Sequence, residues 1–218
     1  MKKAKRTLNN FLGLLFILFV AILFIAIFEV NSNLSQPVNN RDEFENVTRY
    51  EDVLREELRK YELESYTPIL LALMQQESKG RGGDPMQSSE SAGLPRNTIE
   101  DPVKSIQQGV KHFHASLTYG KEKNVDDATI IQSYNMGLGY IDFIEKNGKK
   151  HTEELAKEFS SIQVDKQPDI YNCGGDKSNF RYPYCYGDFT YYTKVTKNIE
   201  QLTEQPATAK EDTNDSSS

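Results

Sequence analysis

The chain has 218 residues, with 26 basic and 32 acidic side chains, a formal charge of −6 and 37% hydrophobic residues. That length allows one ordinary domain with appendages, and an acidic balance is poorly suited to nucleic acid or anionic lipid. No GxGxxG or GxxxxGK[ST] occurs, and His112, His114 and His151 lack metal-ligand spacing, so neither a cofactor nor a metal is expected.

Lys2, Lys3, Lys5 and Arg6 precede Phe11–Phe28, eighteen consecutive residues that are apolar or glycine. This run is just long enough to cross a bilayer, and the flanking charge predicts a cytoplasmic N-terminus. Residues 1–30 therefore read as a cytoplasmic stub and a single-pass anchor in the cell membrane, with the remainder extracellular. A cleaved signal peptide is the alternative. Against it, the run exceeds a usual h-region, and Ile27-Phe28-Glu29-Val30 lacks a small-x-small cleavage pattern. Taking four basic residues and one acid away from 26 and 32 leaves 22 and 31, a formal charge of −9 outside. Such a surface suits a substrate held in a groove better than one captured by a basic field.

Residues 31–46 read as a polar spacer, residues 47–203 as the folded domain and residues 204–218 as a solvated, disordered tail. A first helix is expected from about Val47 to Leu63, with Tyr50, Val53, Leu54, Leu58 and Tyr61 as its apolar stripe. Thr67 and Pro68 supply an N-cap and a first helical residue for a second helix that Gly80, Gly82 and Gly83 stop. Within it Leu70, Leu73, Met74 and Glu77 share one stripe. An acid on that face, in the last turn, loses solvation and meets the negative end of the helix dipole, so its pKa should rise. Such an acid is suited to proton donation at neutral pH. The bland alternative is a surface glutamate that merely ends a helix.

The loop 79–100 is rich in Gly, Pro and Ser. Loops this long within a compact domain are functional or disordered, and the neighbouring acid favours a functional one. Asp84 lies seven residues after Glu77 and makes a carboxylate pair of the kind glycoside hydrolysis uses. Its Asp-Pro setting is equally that of a turn residue. Further on, Asp101-Pro102 starts a third helix with Val103, Ile106, Val110, Phe113 and Leu117 facing inward. Asp126 or Asp127 caps a fourth helix, and Tyr140–Asn147 and Thr152–Phe159 read as a fifth and a sixth. Asp188 is expected to cap a last helix that turns Tyr192, Val195, Ile199 and Leu202 inward. Between them Cys173 and Cys185 bracket a core-poor segment, and an extracellular setting favours a disulfide over two free thiols. With no alternating strands, the domain reads as all-α, about seven short helices.

The blocks QQES (75–78), GGDPMQSSES (82–91), DPVKSIQQGVKHF (101–113), QSYNMGLGYIDFI (132–144) and YGDFTYYTKV (186–195) together resemble the lysozyme-like family of Gram-positive cell-wall enzymes. The likeness is strongest to the muramidase domain of bifunctional wall hydrolases of conjugative elements, and extends to membrane-anchored surface proteins of streptococci. More distantly, the order of the blocks is similar to that of the lytic transglycosylases. The resemblance covers about Thr67 to Ile199. It implies a goose-type lysozyme-like fold that cleaves the β-1,4 bond between N-acetylmuramic acid and N-acetylglucosamine in peptidoglycan glycan strands. It assigns Glu77 as the catalytic acid and Asp84 as the second catalytic carboxylate. Met86, Gln87, Ser89 and Glu90, with Ser91, would line the glycan groove, and Tyr134 and Asn135 would orient substrate. Tyr191 would be the aromatic that contacts the acid.

The Gly-Leu of the transglycosylase GLMQ block is replaced here by Asp84-Pro85, which leaves two product chemistries: hydrolysis, favoured by Asp84, or a 1,6-anhydro product formed with Glu77 alone. The relatives' cysteine-peptidase domain has no counterpart in the polar tail, so no peptide cleavage is expected. A non-catalytic glycan-binding scaffold is the remaining alternative. A conjugation or secretion assembly is a partner class that the resemblance brings with it.

Overall fold

The computed structural model describes residues 41–204. The apolar run 11–28 lies outside them, as does the tail beyond residue 204. Among the described residues no helix is long and apolar enough to cross a membrane. The described residues contain eight α-helices and no strand: α1 Arg41–Thr48, α2 Glu51–Arg59, α3 Thr67–Ser78, α4 Pro102–Glu122, α5 Asp127–Met136, α6 Gly139–Lys146, α7 Glu153–Lys166 and α8 Tyr191–Thr203.

The single first helix expected from Val47 to Leu63 is two helices broken at Arg49-Tyr50, and the first of them starts inside the stretch read as a spacer. The reason is burial: Phe44 and Val47 are fully enclosed, which holds α1 against α3 despite its polar sequence. The fit is tight, since a Cβ on Gly80 would come within 2.4 Å of the Asn46 carbonyl oxygen. Arg49 Nη2 fastens the same corner by donating to the Gly80 carbonyl at 2.8 Å.

α3 is the axis of the domain. Leu70 through Gln75 are buried without a gap, so the helix is enclosed on every side rather than along one stripe. Its most extensive contact is with α8, and α1 and α2 cover other faces. Its start differs in detail from the expected cap. Tyr66 occupies the N-cap position, and the Thr67 hydroxyl donates to Glu64 O at 2.7 Å instead of accepting from the helix. Pro68 still falls among the first residues, whose N–H groups have no intrahelical partner.

Asp101 caps α4 by accepting from Val103 N, and Asp126 caps α5 by accepting from Thr129 N. Ile106, Val110, Phe113 and Leu117 are buried along α4, but Val103, in the first turn, is 44% exposed. α7 continues to Lys166, past the expected stop at Phe159. Ahead of α8, Asp188 forms a turn rather than the cap itself, accepting from Thr190 N and Thr190 Oγ1. Tyr191 and Val195 are the fully buried residues of α8, with Tyr192, Ile199 and Leu202 partly buried. Cys173 and Cys185 are joined in a disulfide, with their Cα atoms 5.1 Å apart.

Candidate active site

An open groove of about 650 Å³ runs across the domain, with Glu77 in its wall. The last turn of α3 delivers this side chain, and a left-handed Lys79 then turns the chain away into the long loop. Three sources complete the walls: Gln87, Ser88, Glu90, Ser91 and Arg96 from the loop; His112, Tyr134 and Asn135 from α4 and α5; and Tyr171, Arg181 and Tyr186 from the disulfide segment.

Glu77 is partly buried, and its Oε1 accepts a 2.5 Å hydrogen bond from the Tyr191 hydroxyl. Burial raises its pKa to about 7, with the nearby charges of Asp84 and Asp188 acting in the same direction. The Tyr191 hydrogen bond and the Arg96 guanidinium oppose that rise. A carboxyl poised there carries a proton through much of the physiological range.

The amides of buried Gln132 and half-buried Asn135 hold Tyr191 in place. Gln132 bridges the entry to α8, its Nε2 donating to Asp188 O at 2.7 Å and its Oε1 accepting from Tyr192 N at 2.9 Å. Asn135 Oδ1 accepts from Asp188 N at 2.6 Å. Asn135 therefore lines the groove and fastens the C-terminal block at once. Tyr134 is buried and donates to Met86 O at 3.1 Å, and the His112 ring donates from Nε2 to Tyr134 O at the same distance. Burial lowers the His112 pKa against the pull of that carbonyl, which keeps the ring neutral near pH 7.

The loop is organised differently from the sequence expectation. Asp84 is nearly inaccessible, and five donors converge on it. Its Oδ1 accepts from Ser88 N (2.9 Å), Ser88 Oγ (3.3 Å) and Ser105 Oγ (2.6 Å). Its Oδ2 accepts from Ser89 N (3.1 Å) and Ser89 Oγ (2.6 Å). Burial alone would raise this carboxyl, but the hydrogen bonds from Ser105, Ser89 and the Ser88 backbone outweigh it and hold the pKa below the ordinary value. Asp84 lines a second cavity, of about 310 Å³, with Arg81, Gly83 and Asn97; Gln87 is common to both cavities.

Two residues expected along the groove are placed elsewhere. Met86 is fully buried against Gly109, where a Cβ would come within 2.7 Å of the Met86 side chain. Ser89 is buried too, its Oγ accepting from Thr98 N and Ile99 N while donating to Asp84. Both shape the loop from beneath. Gln87 and Glu90 do line the groove. Ser88, Ser105, Arg96, His112, Arg181 and Gln132 also belong to this site or its supports, beyond the residues expected from sequence. Only the Asp101-Pro102 helix start, which places Ser105 and His112 on α4, gave a usable signal.

A helical domain that sets one protonatable glutamate in the wall of an open groove has the build of a lysozyme-like protein. The chain belongs to that family, whose Lysozyme-like model matches residues 44–199. It carries a lysozyme-like cell-wall hydrolase domain. The chain is 58% identical over 160 residues to the uncharacterized membrane protein YocA of Bacillus subtilis (strain 168), covering 72% of this chain and 71% of that one. It is 39% identical over 154 residues to the bifunctional muramidase/DL-endopeptidase CwlT of the same strain, covering 71% of this chain but 42% of CwlT. Among solved structures, it is similar to an NLP/P60-family protein of Staphylococcus aureus described as similar to a lipoprotein. That match has a TM-score of 0.60 and 35% identity, and covers 71% of this chain and 52% of that one.

Proposed function

We propose that the domain is a peptidoglycan glycosidase of the muramidase type, cutting the β-1,4 bond between N-acetylmuramic acid and N-acetylglucosamine with Glu77 as the general acid. The observation that carries this reading is the groove-lining carboxyl raised to about 7 by burial. Tyr191 engages Oε1, so Oε2 is the oxygen from which a proton passes to the glycosidic oxygen. The muramidase named in CwlT supports the same bond as the target. Tyr134, Asn135, Gln87 and Glu90 orient the sugars from the walls.

Asp84 serves this reaction as a fixed negative charge beneath the loop. Its field favours the proton on Glu77 and offsets the positive charge that develops on the sugar ring in an oxocarbenium-like transition state. Water then bonds to the anomeric carbon as the glycosidic bond breaks, and its proton passes to the Glu77 carboxylate that the first transfer leaves.

A second reading, internal attack by the muramic 6-hydroxyl to give a 1,6-anhydro end, is favoured by the five donors on Asp84. They occupy the lone pairs a general base would need to draw a proton from water. Mass spectrometry of digested glycan separates the two: reducing ends support hydrolysis, and predominantly anhydro ends support the internal attack. A zymogram of wild type beside Glu77→Gln tests the acid itself, with clearing expected only from wild type. Equal clearing by both, or by neither, removes the catalytic reading and leaves a glycan-binding scaffold.

Residues 11–28 would tether the enzyme to the cytoplasmic membrane, an association that the name of YocA, a membrane protein, supports, and the basic residues before them would leave the domain outside. Tethering keeps cleavage local to the wall near the membrane, as a conjugation or secretion assembly would require. Protease protection in intact cells tests it: the domain should be digested from outside, and protection of the domain would overturn the topology.

A further inference from the structure

Tyr171 and Cys185 of the groove wall also line a third depression, of about 310 Å³, on the disulfide segment. Val164 and Pro168 form one side of it, and Tyr182 and Pro183 form another. Its walls are largely apolar. Three large apolar side chains within residues 170–182 stand open to solvent: Ile170 at 68%, on the groove wall, Phe180 at 61%, and Tyr182 at 44%, in the wall of this depression.

The rings are not equivalent. Phe180 carries the Lys194 ammonium 4.6 Å from its centroid and packs against Phe189. Tyr171 is held edge-on by Tyr186, with centroids 4.8 Å apart. Tyr182 has no ring or cation partner among the described residues. Asn172 is committed to its own loop, donating to Asp169 O and accepting from Gly174 N. The exposed Lys177 supplies the polar group of the depression.

A pyranose offers apolar C–H bonds on its face and hydroxyls around its rim. An open tyrosine face beside an ammonium donor is complementary to both. We propose that this depression is a distal saccharide subsite, in which a glycan strand already lying in the groove stacks a further sugar ring on Tyr182 and accepts hydrogen bonds from Lys177 at its rim oxygens. The occupant follows from adjacency, since Tyr171 and Cys185 belong to the walls of both depressions. The proposal rests on the reading of the groove as a glycan site.

The test compares the full chain in detergent with its Tyr182→Ala and Tyr182→Phe variants on a peptide-free tetrasaccharide and on glycan strands several times longer. The readout is the ratio of kcat/KM on long strands to that on the tetrasaccharide. This ratio should fall about three- to tenfold in Tyr182→Ala and hold in Tyr182→Phe, which keeps the ring. An unchanged ratio in Tyr182→Ala, or an equal fall in both variants, overturns the subsite. A second arm measures binding of long strands to Glu77→Gln with and without Tyr182→Ala. If wild type cuts nothing but this binding depends on Tyr182, the subsite stands and the catalytic reading falls. If wild type cuts and the ratio does not depend on Tyr182, the catalytic reading stands and the subsite falls. If no strand binds, both fall.

Discussion

The Tyr191 hydroxyl donates to Glu77 Oε1 across 2.5 Å of space and 114 positions of sequence. That bond favours the carboxylate, whereas burial favours the acid, and the balance leaves the group near 7. Tyr191→Phe removes the donor while nearly keeping the volume of a fully buried ring. The alkaline limb of the kcat/KM profile, which reports loss of the Glu77 proton, should move to higher pH. The rate should fall about tenfold through lost orientation of the acid. A profile that coincides with wild type would show that the contact does not tune Glu77.

The raised pKa also fixes how stability depends on pH. Between the ordinary value of 4.5 and about 7 the folded chain holds a proton that the unfolded chain releases, so stability from this group declines as pH rises through that window. Glu77→Gln escapes the penalty. Thermal unfolding at pH 8 should show the variant more stable by up to about 3 kcal/mol, with the difference gone below about pH 4.5. No difference at pH 8 would mean that the carboxyl is well solvated.

Asp84 has the opposite sign. Its folded pKa is depressed, so its contribution is present above the ordinary value of 3.8 and is lost as pH falls through the folded value. Asp84→Asn turns an amide N–H toward groups that themselves donate, and should cost about 2–4 kcal/mol in urea unfolding at pH 7. Ser105→Ala removes one of the five donors and should cost about 1–2 kcal/mol. Full stability of Asp84→Asn with abolished turnover would instead make Asp84 a reacting group.

These residues also show what could be read in advance. Helix starts at Asp101 and Asp126, the inward stripe on α4 and the position of Glu77 in the last turn of α3 all follow from local rules of capping and period. The burial of Phe44 in a polar stretch does not, because α1 gains its stability from the neighbour it covers rather than from its own sequence. Serines in a loop have no periodicity, so the clasp of Ser88, Ser89 and Ser105 around Asp84 emerges only when α4 brings Ser105 to the loop. Met86 illustrates the limit of a motif: the resemblance placed it along the glycan, but the absent side chain of Gly109 leaves a socket that takes it into the core.

The disulfide segment contributes Tyr171, Arg181 and Tyr186 to the groove, while the bond between Tyr191 and Glu77 lies on α8 and α3. Replacing Cys173 and Cys185 together with Ser should therefore raise KM severalfold and leave kcat within about twofold, while lowering stability by about 3 kcal/mol in the chain-entropy account. A collapse of kcat at unchanged KM would place the segment in the chemistry itself.

The proposed cleavage turns on one proton carried by Glu77. The direct measurement is the rate of new chain ends released from purified peptidoglycan by the full chain and by its Glu77→Gln variant at pH 6. Wild type should release them about a thousandfold faster, within the range of general acid catalysis. Comparable rates from the two proteins would contradict the account.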